Sequence, residues 1–594
     1  MRHSFRLAVS LCAASPVVAD FLGPRYVPPV DLSSDKSTIP AAWKKATADI
    51  QSALNGDENS TLADVVGLKN VTFSLGMFSL HDPSASKLQF HYTSPEIIAS
   101  NGTHKVDGDS IYKVASITKV FTVLTGLLNL NMTDWERPVT EIFPALAEFA
   151  KTYPGQDDPA YTIRWEQVTL SNLAAQIAGL PTNPLVGDTA ISYLLQGRGP
   201  EHDGYPMVNI SSPRIADAIP VLPGFLAGTS TYTTDNFIPM VKAALPNFAP
   251  WTQPLYSNNG FVLLTAAIGS ITGQSLSSLS QKTILDPLGL TSSFYNVVPA
   301  SLSERSVIAN DYEWKYPAGI AEGSGGLAST TNDLAKFGVA VLNSTLLPEA
   351  ETRRWLKPVS HTGRFEYAMG RPWEILRYTH ASGAVTDLYT KAGDSGSYGS
   401  YLVIIPDYNA GFTVLGAASV AVTPTRVDVI AAIGDVLANT ILPALEEQAA
   451  AETKHNFAGT YASSIEGLNS SVILSVNETE GAAPGLLIES FISNGTDFSS
   501  TFPLYYKPGS RLTPSILTDK SGKLAFRVAL ADDAPSIDKR KALFTGAGSA
   551  NFLVSDAASY GGSSLSHWVF QVDDKGKATW VSPTWLQATY DRKE

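Results

Sequence analysis

Cysteine is almost missing: the 594 residues contain one, Cys12. Thiolate metal sites, a thiol nucleophile and a disulfide framework are therefore excluded together. Charge is also scarce, at 16% of residues, and basic charge scarcer still, with 42 Lys and Arg against 55 Asp and Glu for a net −13. That balance argues against a nucleic-acid partner or a polybasic membrane-surface protein. No run of eighteen apolar residues occurs, so no stable membrane span is expected. Neither Gly-x-Ser-x-Gly nor His-Glu-x-x-His appears, and nothing calls for a metal or a cofactor. What the chain does have is 44% hydrophobic residues, enough to bury a large core.

The one cysteine sits in a segment with its own logic. Arg2, His3 and Arg6 precede an apolar run from Leu7 to Ala14, and Val17-Val18-Ala19 offers small residues for cleavage. Residues 1–19 read as a secretory signal peptide, which implies a secreted, extracellular protein beginning near Asp20. A buried N-terminal helix is the competing reading. Asn-x-Ser/Thr sequons begin at Asn59, Asn70, Asn101, Asn131, Asn209, Asn343, Asn469, Asn477 and Asn494, in agreement with export and glycosylation.

Residues 20–50 are proline-rich and read as an N-terminal arm rather than a core element. From 51 to 452 strands and helices mix. Val71 to Leu80 alternates like a strand and can pair with Leu88 to Tyr92. Ser116 to Leu130 is apolar on most faces and predicts a buried helix. Further helices are expected after Asn259, from Asp333, and from about Val427 to Ala451. Tyr401–Ile405 and Gly411–Leu415 flank Pro406-Asp-Tyr-Asn409 as a hairpin. Beyond a boundary at 452–456 the pattern becomes short strands and turns, so 453–594 is expected to be an antiparallel β domain.

Five Ser-x-x-Lys patterns occur, at Ser33, Ser84, Ser110, Ser116 and Ser536. Only Ser116-Ile-Thr-Lys119 opens a long apolar helix, where positions i and i+3 share a face and the positive end of the dipole favours an alkoxide. Burial there should lower the pKa of Lys119 towards that of a useful base. The bland alternative makes Ser116 a helix cap and lets Lys119 snorkel to solvent. Tyr256-Ser-Asn258 is a second element. A tyrosine near a cationic lysine is expected to have a lowered pKa and to shuttle the nucleophile's proton. Asn258 can orient Lys119 and a substrate carbonyl, and Thr234-Asp-Asn236 competes for that role. Lys391-Ala-Gly393 is the third, with Gly393 allowing close backbone approach and the Asp394 N–H aimed at an oxyanion. Lys520-Ser-Gly522 matches as text but reads as a hairpin turn in the tail.

With these motifs, Tyr112–Phe121, Gly179-Leu-Pro181, Pro287-Leu-Gly289 and Gly325–Asp333, the sequence from about Val71 to Leu445 resembles the β-lactamase-related serine hydrolases. In detail it is most similar to secreted fungal β-lactamase-like proteins, whose tails begin near a segment such as Phe457–Tyr461. The resemblance implies a mixed α/β (α+β) fold, with a largely antiparallel sheet flanked by helices. It implies Ser116 as acyl nucleophile, Lys119 and Tyr256 as the proton-handling pair, and Lys391 as electrostatic support. Two departures stand out. Ala392 replaces the threonine of Lys-Thr-Gly, which puts β-lactam recognition in doubt, and Gln176-Ile-Ala-Gly179 replaces the usual His-x-Ser-Gly. The expected function is cleavage of an ester or amide in a small-molecule or peptide substrate. An acyltransferase of secondary metabolism and an inert binding protein on the same fold remain open alternatives.

Overall fold

The computed structural model describes residues 23–152, 158–183, 199–207, 244–315, 317–419, 423–479, 481–531 and 555–593, with a few single positions between 189 and 242. The expected signal peptide, the Asn209 sequon and Thr234-Asp-Asn236 lie outside the described residues.

The five longest helices among the described residues frame the larger, N-terminal part: α1 (Ile39–Asn55), α2 (Thr118–Asn129), α3 (Asn258–Thr272), α4 (Thr331–Leu342) and α5 (Thr423–Phe457). Between them lies an eight-stranded sheet made of β1 (Thr72–Ser79), β2 (Gln89–Tyr92), β3 (Ser360–His361), β4 (Tyr367–Met369), β5 (Glu374–Thr379), β6 (Val385–Ser395), β7 (Tyr398–Ile405) and β8 (Ala410–Ala417). Its order is β2-β1-β8-β7-β6-β5-β4-β3 and every pairing is antiparallel. Both faces are covered, which is why every residue of β1 and β8 is buried. Phe73, Leu75 and Met77 of β1 join a core shared with α1 and α5, while Phe78 joins the core that holds α2, α3 and α4.

The segment 20–50 differs from its expectation. Ile39 to Asn55 is a helix, opened by Pro40 and closed by Gly56 in the left-handed region. Trp43, Ala46, Ile50, Ala53 and Leu54 recur at helical spacing and are buried in the core with α5. Thr38 donates from Oγ1 to the Ala444 carbonyl (2.9 Å) and from its N–H to Gln448 Oε1 (3.1 Å). The prolines before residue 39 masked an ordinary amphipathic helix behind them.

Asp333 does not start its helix either. Thr330 is the cap, accepting the Asp333 N–H, and the Asp333 carboxylate is buried against the Ser292 N–H and the Ser293 hydroxyl. By length and composition Asp428–Phe457 of α5 could cross a membrane, with a mean hydropathy of 1.5 over its best window. Here its Val429, Ile433, Leu437, Ile441 and Leu445 lie in the core beneath β7 and β8.

The C-terminal strands run Ser471–Val476, Gly459–Ala462, Tyr590–Arg592, Ala578–Pro583, His567–Val572, Lys523–Ala529, Arg511–Thr518 and Leu486–Ser493, each antiparallel to the next. Ser471–Val476 also pairs with Leu486–Ser493, so the expected β domain closes into a ring and conceals its edges. Phe457, Tyr461, Phe491, Phe526, Trp568 and Phe570 fill its interior.

Candidate active site

The chain enters the site along the short strand Tyr112–Lys113 and turns at Ala115, whose φ is +45°. A non-glycine residue in that region is strained, and the strain points Ser116 into a cleft at the mouth of α2. Thr118 braces the turn: its hydroxyl donates to the Ala115 carbonyl (2.6 Å) and accepts the Leu327 N–H (3.0 Å). Ser116 makes no capping bond, so the helix-cap reading is not met.

Lys119, one turn along, is completely buried and does not snorkel. Its Nζ lies 3.0 Å from Ser116 Oγ, 2.7 Å from Asn258 Oδ1 and 2.7 Å from the Ser324 carbonyl. Burial drives its pKa well below the usual lysine value, and the positive charge of Lys391 adds to that, against an opposing pull from Glu374.

Tyr256 donates its hydroxyl to Ser116 Oγ at 2.5 Å. Its pKa is raised, contrary to expectation. Desolvation of the phenolate outweighs the Lys391 charge and the Ser116 hydrogen bond, both of which pull the other way. The segment carrying Tyr256 and Asn258 is shaped from behind. The Gln176 carbonyl accepts the Leu255 N–H (2.8 Å), Gln176 Oε1 accepts the Ser257 N–H (3.1 Å), and Thr182 bonds both the Tyr256 carbonyl and the Asn258 N–H. Gln176 thus does structural work where the family pattern has histidine. Ser257 caps α3 by accepting the Gly260 N–H.

Gly393 on β6 presses against the nucleophile's backbone. A Cβ there would stand 2.3 Å from the Val114 carbonyl, 2.3 Å from Ser400 Oγ and 3.2 Å from the Ser116 nitrogen. Asp394 and Ser395 continue into the cleft, which encloses about 200 Å³ and is also lined by Ser116, Asn183, Asn258 and Ser324. Lys391 is fully buried beside the site, 5.2 Å from the centre of the Tyr256 ring, and its ammonium is bound to Glu374 at 2.5 Å. Lys520 sits instead in the turn between Arg511–Thr518 and Lys523–Ala529.

The structure therefore brings Ser116, Lys119, Tyr256, Asn258, Lys391, Gly393 and Asp394 into one neighbourhood. It adds groups the motifs did not name: the Ser324 carbonyl, Asn183, which accepts from Asn258 Nδ2 (2.9 Å), and Glu374. Ser324 directly precedes the Gly325–Asp333 segment and could have been suspected from it. Glu374 had no local signal.

A family model described as "Beta-lactamase" matches residues 95–432, and one described as "Beta-lactamase-like-like, C-terminal domain" matches 449–594. A beta-lactamase-like protein of Arthroderma benhamiae is 27% identical over 74% of this chain and 69% of its own length. Probable hydrolase M10 of a Phoma species is 24% identical over 68% of this chain and 64% of its own length. Among solved structures, a beta-lactamase/D-alanine carboxypeptidase from Yersinia pestis aligns with 67% of this chain and 99% of its own, at 18% identity and a TM-score of 0.43. The first of these matches spans more than half of the residues and contains the whole site, so the chain belongs to the beta-lactamase family.

Proposed function

We propose that the protein is a serine hydrolase that cleaves an ester or amide through an acyl-enzyme on Ser116. One observation carries this reading: Ser116 Oγ stands between Lys119 Nζ at 3.0 Å and Tyr256 Oη at 2.5 Å. The hydrogen-bond inventory accommodates a neutral amine, the form that burial favours. Asn258 Oδ1 and the Ser324 carbonyl can only accept, so they take the two N–H bonds of an uncharged Lys119. Its lone pair is then left for the Ser116 hydroxyl. As Oγ attacks a carbonyl, its proton passes to Lys119, and the negative charge forms on the carbonyl oxygen. The Ser116 N–H at the start of the helix and the Gly393–Asp394 segment flank that position. Tyr256 then relays the proton to the leaving group, and water repeats the sequence in reverse.

Ser116→Ala should abolish both turnover of a short aryl ester and labelling by a fluorophosphonate, with thermal melting unchanged. Lys119→Ala and Tyr256→Phe should each lower kcat/KM about 100-fold or more. Lys119 acts unprotonated, so kcat/KM should rise with pH through an acidic limb far below the pKa of a free lysine. Tyr256 acts as a phenol whose pKa is raised, so the rate should hold well into the alkaline range. An active Ser116→Ala protein would remove the assignment.

A further inference from the structure

We propose that Glu374 is a specificity-determining residue: it holds the Lys391 ammonium out of the cleft and reserves the site for acyl substrates without a carboxylate beside the scissile bond. This rests on the serine-hydrolase reading above.

Glu374 lies on β5, opposite Thr390 of β6, and both of its carboxylate oxygens are spent on the next two residues. Oε1 accepts from Lys391 Nζ at 2.5 Å, and Oε2 accepts the Ala392 N–H at 2.8 Å. Lys391 gives a second proton to the Ala392 carbonyl (2.7 Å), and its Nζ stands over the Tyr256 ring. An ammonium has three protons, and two of them are taken by these hydrogen bonds, to Glu374 and to the lysine's own strand. Accordingly, Lys391 is not among the residues lining the cleft. Among the described residues that do line it, the one charged side chain is the acidic Asp394. The lysine that could receive a substrate carboxylate is thus paired with Glu374 and tied to its own strand. Ala392 offers no hydroxyl as a substitute.

The same pair acts on the proton-handling groups. Lys391 lowers the pKa of Lys119 and of Tyr256, and Glu374 raises both. Asp394 reinforces Glu374 at Tyr256. Removing the Glu374 charge while keeping its shape should therefore alter the substrate preference and the pH profile together, an outcome that a purely structural role would not produce.

The test compares phenyl acetate with 3-carboxyphenyl acetate on the full chain, as native protein, as Glu374→Gln and as Glu374→Gln with Lys391→Met. The native protein should favour the neutral ester about tenfold or more in kcat/KM. Glu374→Gln should reduce that preference about tenfold, through KM for the anionic ester, and move the acidic limb to lower pH. Adding Lys391→Met should restore the native preference. A folded, active Glu374→Gln protein with the native ratio and pH profile would overturn the proposal. So would a native preference for the anionic ester, which needs no variant and decides the matter if Glu374→Gln does not fold. Fluorophosphonate labelling separates the two levels: native protein that fails to label removes the hydrolase reading, whereas labelled protein with an unaltered Glu374→Gln removes this inference alone.

Discussion

At the scale of single residues, the site is built by opposing preferences of solvent. Lys119 and Tyr256 are both deprived of water, and each is pushed towards its uncharged form, as amine and as phenol. That is the pairing a serine hydroxyl needs on either side, a free lone pair and a donor. The arrangement depends on the close approach at Gly393. Adding one methyl there should destabilise the fold by about 1–3 kcal/mol through overpacking. It should also lower kcat/KM about 100-fold by displacing the Ser116 backbone. Gly393→Ala should show both losses in a melting curve and an ester assay, and a variant with native activity would mean that β6 can retreat. Ser116, Lys119, Tyr256 and Lys391 were legible because each sits in a short motif: one helical turn for Ser116 and Lys119, the approach to a capped helix for Tyr256, and a strand for Lys391. The rise in the pKa of Tyr256 was not legible, because it follows from burial, which neighbours far along the chain supply. Glu374 was invisible for a related reason: it reaches Lys391 only across a strand pairing.

Elements were easier to read in the interior than at the borders. The apolar runs of α2 and α3 and the hairpin of β7 and β8 announce themselves by period and turn residues. The position of α1 was obscured by the prolines that precede it, and α5 continues past the expected boundary to Phe457. Its end explains why it continues. Phe457 is packed among Phe526 and Phe570 inside the C-terminal ring, so the last turn of the helix belongs to both halves. Arg592, from the far end of the chain, places its guanidinium over that end. It bonds the Asn456 carbonyl at 2.7 Å and the Ala458 carbonyl at 2.5 Å, with the His455 carbonyl at 3.3 Å. A cation bonding the last carbonyls of a helix is favourable both as hydrogen bonds and against the dipole. Arg592→Ala should cost about 1.5–3 kcal/mol, as expected for hydrogen bonds to a charged group. Thermal unfolding with native ester turnover per folded molecule is the expected result; an unchanged melting temperature would show that water replaces the guanidinium.

For the whole molecule, the export reading is a proposal that draws on where the sequons lie. The asparagines of the eight described sequons, Asn59, Asn70, Asn101, Asn131, Asn343, Asn469, Asn477 and Asn494, are all exposed. At Asn131 the capping contact uses the side-chain oxygen, which leaves the amide nitrogen for a glycan. We propose that the protein is secreted and glycosylated. Material from a eukaryotic host should begin near Asp20 and shift in mass on treatment with an N-glycosidase. An intact Met1 with unmodified sequons would count against export.

The pairing of β1 with β8 also sets a timetable. Thr72 bonds opposite Ala417 and Ser79 opposite Ala410, with the helical region and the rest of the sheet between them in the sequence. At elongation rates of about 5–20 residues per second, the β1–β2 hairpin waits on the order of half a minute for its central partner to be synthesised. During that interval the apolar strand has an open edge and no sheet to join. The catalytic half therefore cannot close from its N-terminus forward, as a chain of small domains would. The hairpin joins the sheet only once β8 has emerged, because β8 is the strand that connects the β1–β2 pair to the other five.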